Sequence, residues 1–284
     1  MELIKYFFLL MFSGICYMSC QNSIEQQNKT NDISQNEKVP RNNHLIIQIN
    51  EGKINIPGKL KSGWHKILFI NSGTTEHNGQ FLLLKNSKTL NDYISDFGKV
   101  IDTGEPRPDY AIRYGGASPT APRDTITFYQ YFEPGNYAIY DLFNLFNGLS
   151  ETFIVTEDIN DIELPSAAFE VELDEYSYKF NKSLISGIHW LKVRNIGDEP
   201  HEITIGKMAS GKNELDLIEW SKTFQNAPPV VPFRSQGLGS LAPGLESYLM
   251  AEFDSGNFVF FSNVTAPDGR RQTEHGMVKI IAIE

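Results

Sequence analysis

Cysteine is scarce in this chain of 284 residues: Cys16 and Cys20 are the only two, and both lie close to the N-terminus. Residues 21–284 therefore contain no disulfide, no thiolate metal ligand and no cysteine nucleophile. Redox thiol chemistry, structural zinc sites built on cysteine and cysteine catalysis are excluded together for that part of the chain.

Long basic runs are also absent, and the formal net charge is −10. Because a phosphate backbone attracts clustered Lys and Arg, nucleic acid is not an expected partner. No segment beyond the N-terminal region is apolar over the length that would span a bilayer. The dispersed acidic charge by itself indicates solubility and no particular activity.

The first 43 residues combine a targeting signal with a polar stretch. An apolar run over residues 6–18 is too short to span a bilayer and is typical of a signal peptide. It ends at Ser19-Cys20, which is similar to a bacterial lipobox, so we predict a lipoprotein signal peptide over residues 1–19 and lipidation of Cys20. Residues 20–43 are rich in Gln, Asn and Ser and predict a disordered tether. The expected location is the bacterial outer membrane or periplasm; an ordinary signal-peptidase site with a soluble product is the alternative.

An internal repeat divides the rest of the chain. Gly63-Trp64-His65 matches Gly187-Ile188-His189, 124 positions further on, and the same spacing joins pairs of Asn, Gly, His, Lys, Asp and Ile residues. Later in each repeat the spacing is 121, since Gly135-Asn136-Tyr137 matches Gly256-Asn257-Phe258. The repeats predict two domains, residues 44–160 and residues 161–284, which is duplication of a whole domain.

Each repeat has the pattern of short β-strands. The predicted strands are β-branched or aromatic and are bounded by Gly, Pro, Asn or Asp, as at Trp64 to Ile70 and His189 to Arg194. One segment of each repeat has near-helical spacing instead, over residues 90–97 and 213–224. The predicted fold is all-β: two tandem Greek-key β-sandwiches, each with a short helix in a long connection. Residues 99–125 and 227–239 are predicted as loops that form a contact surface.

The motifs of the second repeat resemble those of the cupredoxins. They comprise an Asn-containing strand leading to His201, the segment Gly256 to Ser262, and His275-Gly276-Met277 before a closing apolar strand. In that family the first strand supplies a copper-binding His, and a C-terminal loop supplies Cys, His and Met. Ser262 stands at the Cys position here, so the resemblance implies the scaffold without the blue-copper thiolate.

Three residues remain as a tentative metal site: His201, His275 and Met277, which could bind Cu(I) through imidazole and thioether groups. The alternative is that His201 makes a structural hydrogen bond and Met277 fills the core. In the first repeat His77 matches the first ligand, but Asp141 occupies the Cys position and has no obvious partner in the sequence. That repeat is expected to bind no metal.

Three functions follow as hypotheses. The first is a lipid-anchored extracytoplasmic binding or interaction protein that needs no cofactor, is not an enzyme and recognises an unknown protein or small molecule. The second is a copper-handling protein that binds Cu(I) through the second repeat. The third is an enzyme of unknown chemistry; Ser262 has no nucleophile-elbow glycines around it to support one.

Overall fold

The structure is a computed structural model that describes residues 44–103 and 108–284. The predicted signal peptide, the lipidation site Cys20 and the predicted tether lie outside these residues. The described residues from His44 onward belong to one compact unit. None of the helices in this described part is long and apolar enough to cross a membrane.

The two repeats contain the same elements in the same order. In the first repeat these are β1 (His44–Asn50), β2 (Lys53–Asn55), β3 (Lys59–Asn71), β4 (His77–Leu84), α1 (Leu90–Thr103), β5 (Ala111–Thr120), β6 (Thr125–Phe132), β7 (Gly135–Tyr140), a 3-10 helix (Leu145–Asn147) and β8 (Ser150–Asn160). In the second they are β9 (Phe169–Asp174), β10 (Ser177–Phe180), β11 (Gly187–Asn195), β12 (His201–Met208), α2 (Glu214–Thr223), β13 (Val230–Leu241), β14 (Glu246–Phe253), β15 (Gly256–Phe261), a 3-10 helix (Gln272–His275) and β16 (Val278–Ile283).

Each repeat is a β-sandwich, as predicted. In the first repeat β1 pairs with β2 and β3, β3 pairs with β6, and β8-β7-β4-β5 form the opposite layer. The second repeat has the matching arrangement, β10-β9-β11-β14 against β13-β12-β15-β16. Alternation of side chains builds the core: Leu45, Ile47 and Ile49 of β1 are buried, and the residues between them are exposed. β8 ends at Asn160, next to the predicted domain boundary.

The helices lie where the 3.6-residue spacing predicts them. α2 begins with a capping box, in which Asn213 accepts from the backbone of Asp216 and the Asp216 side chain accepts from the backbone of Asn213. α1 extends six residues beyond the predicted end at Phe97, to Thr103. Its buried face, which includes Tyr93 and Phe97, joins a small second core with residues of β4 and β7.

Strands of the two repeats pair directly with one another. β5 pairs with β13 and β6 pairs with β14, both antiparallel. In each case one pair joins residues that are 121 positions apart, Ala117 with Leu238 and Phe128 with Leu249. Each pairing therefore includes one pair of equivalent residues from the two repeats.

The prediction that residues 99–125 and 227–239 form exposed loops is wrong for most of their length. They contain β5 and β13, which pair with each other and join the repeats. Their Gly and Pro content is typical of loops. Two of the glycines instead permit close contact between strands. Gly116 and Gly237 have φ values of 122° and 138°, and an added Cβ would lie 1.8 Å from the Gly79 oxygen and 2.3 Å from the Ile203 oxygen, respectively. Only glycine fits at both places.

Candidate functional site

A histidine begins the same strand in each repeat. His77 is the first residue of β4 and His201 the first residue of β12, and both are fully buried. The turn before each one is closed by Asn71 or Asn195. The amide Nδ2 of each Asn donates to the carbonyl four residues ahead and to a carbonyl at the end of β5 or β13. The repeats thus hold both imidazoles with the same backbone framework.

A carboxylate faces each histidine from the turn after the first strand of the repeat. His77 Nε2 lies 4.0 Å from an oxygen of Glu51, and His201 Nε2 lies 3.7 Å from an oxygen of Glu175. Hydrogen bonds from the backbone and side chain of Thr74 lower the pKa of Glu51 to about 2. The two Glu residues are 124 positions apart, so the repeat spacing would have identified them as an equivalent pair.

In the first repeat the histidine is bound to a buried acid. His77 Nδ1 lies 2.6 Å from Asp141 Oδ2, and both side chains are inaccessible to solvent. The carboxyl group of Asp141 also accepts from the backbone of Phe143 and from the side chain of Asn144. Asp141 therefore has a partner that the sequence did not reveal, because 64 residues separate it from His77. The hydroxyl of Thr75 lies 3.3 Å from His77 Nε2.

In the second repeat a neutral amide takes the same place. His201 Nδ1 lies 3.0 Å from Gln272 Oε1, which also accepts from the hydroxyl of Ser262 at 2.8 Å. Gln272 Nε2 donates to the Pro200 carbonyl, which fixes the orientation of the amide and makes Nδ1 of His201 the donor. Within the described residues His201 Nε2 is buried and has no hydrogen-bond partner.

The two other predicted ligands have different surroundings. His275 Nε2 lies 3.0 Å from Asp268, its Nδ1 lies 3.3 Å from Arg270, and its ring stacks on Tyr176 at 4.5 Å. The hydrogen bond from His275 lowers the pKa of Asp268 well below its ordinary value. Met277 is fully buried in the main hydrophobic core. The Tyr176 ring also lies 6.4 Å from that of His201, so it neighbours both imidazoles.

These residues do not fit a blue-copper centre. Such a centre needs two imidazoles and a thiolate around the metal. Ser262, at the thiolate position, donates its hydroxyl to Gln272, and Gln272 also holds the His201 ring. Among residues 44–103 and 108–284, the structure contains no group of three or more His, Cys, Asp or Glu side chains arranged to hold a metal ion. The tentative set His201, His275 and Met277 stays a prediction.

Two further histidines, His65 and His189, match between the repeats and make backbone hydrogen bonds. His65 Nε2 lies 2.9 Å from the Lys61 carbonyl, and His189 Nε2 lies 3.0 Å from the Ser186 carbonyl. Each ring also contacts a phenylalanine, at 5.8 and 5.1 Å between ring centres. These contacts give both residues a role in the fold.

Comparison with known proteins finds similarity in structure alone. No family model matches the chain, and no curated protein matches it. Auracyanin from Roseiflexus castenholzii is 16% identical over 40% of this chain and 94% of its own, with a TM-score of 0.29. A multicopper oxidase is 15% identical over 85% of this chain and 88% of its own, with a TM-score of 0.24. An azurin from Methylomonas sp. strain J is 9% identical over 40% of this chain and 95% of its own, with a TM-score of 0.27.

With TM-scores of 0.29 or less, these solved structures carry no argument about this chain, and the β-sandwich of each repeat rests on the strand pairings described above. One of them is an oxidase, but identities of 16% or less with TM-scores of 0.29 or less carry no argument about activity. Function is therefore argued from the residues of this chain.

Proposed function

We propose that the chain is a lipid-anchored extracytoplasmic binding protein, in which cupredoxin-like sandwiches serve as a scaffold. The observation that carries the proposal is the commitment of both strand-initial histidines to buried hydrogen bonds. His77 is held by Asp141 at 2.6 Å, and His201 by Gln272 at 3.0 Å. Both partners come from the region where the resemblance would place copper ligands.

The chemistry of these hydrogen bonds supports a structural role. The Asp141 carboxyl group accepts from three donors and fixes the loop that follows β7. Gln272 joins His201, Ser262 and Pro200 in one buried network. Buried polar networks rigidify the surrounding chain, and in this one His201 Nε2 is left without a hydrogen-bond partner among the described residues. In this proposal the histidines hold the loops at one end of each sandwich in place, and recognition belongs to other surfaces.

The proposed location follows from the N-terminal sequence. A lipid on Cys20 and a polar tether would hold the folded unit near a membrane of the cell envelope, in the periplasm or at the outer membrane. The net charge of −10 supports a protein or small-molecule partner over nucleic acid.

The anchor is tested by fractionating cells that produce the full chain or its Cys20→Ala variant. We expect the unchanged chain in the membrane fraction and the variant in the soluble fraction. A Cys16→Ala variant is the matched control and should behave as the unchanged chain. Equal distribution of the unchanged chain and the Cys20→Ala variant would refute the anchor.

The scaffold role is tested by anaerobic Cu(I) titration of the full chain with both Cys16→Ala and Cys20→Ala, against a competing chelator, with Cu(II) titrated separately. We expect no stoichiometric binding of either ion and no blue absorption band. His201→Ala should lower stability without changing the titration. Stoichiometric Cu(I) binding that is lost in His201→Ala would overturn the scaffold proposal.

One observation favours copper handling as the second candidate. His201 Nε2 is buried without a hydrogen-bond partner, so an imidazole nitrogen with a free lone pair faces Glu175 and Tyr176. Imidazole and thioether groups bind Cu(I). In this candidate His201, His275 and Met277 carry Cu(I) as cargo, which requires His275 to leave Asp268 and Arg270. Loss of Cu(I) binding in both His201→Ala and Met277→Leu would support it.

A further inference from the structure

An open cleft lies beside the joint between the repeats. The strands β6 and β14 pair at three positions. The residues that come next on the two strands, Thr127 and Met250, line the cleft. The cleft is shallow: its cavity volume is about 40 Å³, and the surrounding space, including open solvent, brings the total to about 330 Å³. Nine residues line it: Thr125, Thr127, Ile188, Arg234, Ser235, Gln236, Met250, Ala251 and Glu252.

The polar side of the cleft carries an unused hydrogen-bond donor. Gln236 is 4% exposed, and its Oε1 accepts from the backbone N–H of Glu252. That hydrogen bond fixes which end of the amide is oxygen, because a reversed amide would place two donors against each other. The remaining Nε2 is buried without a partner in the described residues. A buried donor of this kind costs stability unless an acceptor reaches it.

The matched position in the other repeat shows what the cleft accommodates. Three of its lining residues are Ile188, Thr127 and Glu252. By the repeat spacings of 124 and 121 positions, their counterparts are Trp64, Tyr248 and Tyr131. These three rings contact one another: Trp64 lies 5.7 Å from Tyr131 and 5.5 Å from Tyr248, both in edge-to-face geometry. An indole therefore fills on one side the space that stays open on the other.

The walls of the open cleft suit an aromatic ring. Ile188 and Met250 are 63% and 37% exposed, which is high for apolar side chains, and they face the cleft from β11 and β14. A methionine thioether contacts aromatic rings favourably. Arg234 and Glu252 lie at the cleft as an ion pair, with 2.7 Å between Arg234 Nε and Glu252 Oε2, so these two charges are paired with each other.

We infer that this cleft binds a small, flat aromatic molecule of about indole size that carries a neutral hydrogen-bond acceptor on its edge. The ring lies between Ile188 and Met250, and the acceptor receives the Nε2–H of Gln236. The site uses neither His77 nor His201 and does not depend on the lipid anchor, so it can hold or fail independently of the proposed function.

The test is a ligand-observed NMR titration of the full Cys20→Ala chain with three matched probes. Indole-3-carboxamide has both the ring and the acceptor, indole has the ring alone, and cyclohexanecarboxamide has the acceptor without a flat ring. We expect saturable binding in the order indole-3-carboxamide, indole, cyclohexanecarboxamide. Absence of saturable binding of indole-3-carboxamide at millimolar concentration, or equal binding of all three probes, overturns the inference.

Variants taken from the matched repeat locate the site. Ile188→Trp copies Trp64 and should weaken binding of indole-3-carboxamide by about tenfold or more, by occupying the cleft. Thr127→Tyr copies Tyr248, serves as a second blocking variant if the first does not fold, and should have the same effect. Trp64→Ile opens the opposite side and should leave the first site intact. Unchanged affinity in a folded blocking variant would place the ligand elsewhere and refute the inference.

Discussion

Replacing Asp141 with alanine should strongly destabilise the protein. Asp141→Ala leaves the Nδ1–H of His77 without its acceptor and also removes the acceptor of the Phe143 N–H and the Asn144 amide. His77 is fully buried, so water cannot replace the carboxyl group. Removing one partner of a buried, hydrogen-bonded pair that contains a carboxylate costs about 3–5 kcal/mol.

The second repeat supplies a neutral reference. Gln272→Ala removes an amide that accepts from His201 and Ser262, and buried neutral groups left unpaired cost about 1–3 kcal/mol each. We therefore expect a lower free energy of unfolding in both variants.

Equilibrium urea unfolding, followed by circular dichroism, measures both losses. A double-mutant cycle with His77→Ala isolates the coupling between the two side chains, which should be about 1–3 kcal/mol for groups in direct contact. A loss below about 1 kcal/mol in Asp141→Ala, or coupling near zero, would refute the claim that this pair holds the end of the first sandwich.

Three other predictions concern packing, backbone and pH. Leu249→Ala, at a fully buried position of the β6–β14 pairing, should cost about 2–5 kcal/mol in urea unfolding. Gly237→Ala should cost about 3 kcal/mol or more, because its Cβ would lie 2.3 Å from the Ile203 oxygen. Burial, and next the charge of Asp141, raise the pKa of Glu76 from 4.5 to about 6. Because the folded-state pKa is raised, the protonated Glu76 stabilises the native state below about pH 4.5, and this stabilisation is lost as the pH rises through about 6. Glu76→Gln should therefore raise the free energy of unfolding by about 1–2 kcal/mol at pH 7 and leave it unchanged near pH 4.

Each of these has a control and a contrary result. Gly211 has a positive φ of 74° but nothing within 4 Å of an added Cβ, so Gly211→Ala should cost only about 1–2 kcal/mol. Equal losses at Gly237 and Gly211 would show that the close strand contact is unimportant. A Leu249→Ala loss below about 1 kcal/mol would mean that the joint is not tightly packed. A pH-independent effect of Glu76→Gln would contradict the raised pKa.

Several elements with one buried face were predicted from the sequence: β1 and β3 alternate between buried and more exposed residues, and α2 has its capping residues in place. β4 and its counterpart β12 were not among the predicted strands. Nearly all residues of β4 are buried, whereas β12 alternates between buried and half-buried residues over its first six positions. β5 and β13 were interpreted as loops, since their glycines and prolines are strand-breaking in isolation and are accommodated only by the pairing between repeats.

The repeat spacing identifies those residues of the candidate site that have an identical counterpart in the other repeat. His77 and His201 share that spacing, and Glu51 and Glu175 share it too. Gln272 has no such match, because it belongs to a loop whose length differs between the repeats, and its contact with His201 spans 71 residues. Long-range polar contacts of this kind depend on how loops close in three dimensions, which periodicity does not report.

The pairing of equivalent residues at the joint has a consequence for how the protein arose. An interface in which each element meets its own counterpart is isologous, and this is the geometry of a twofold-symmetric homodimer. A single ancestral repeat could therefore have assembled with a copy of itself before the two genes fused. Fusion makes the association intramolecular and raises its effective concentration. Each half was then free to change alone, and Trp64 in one half stands where the other half has Ile188.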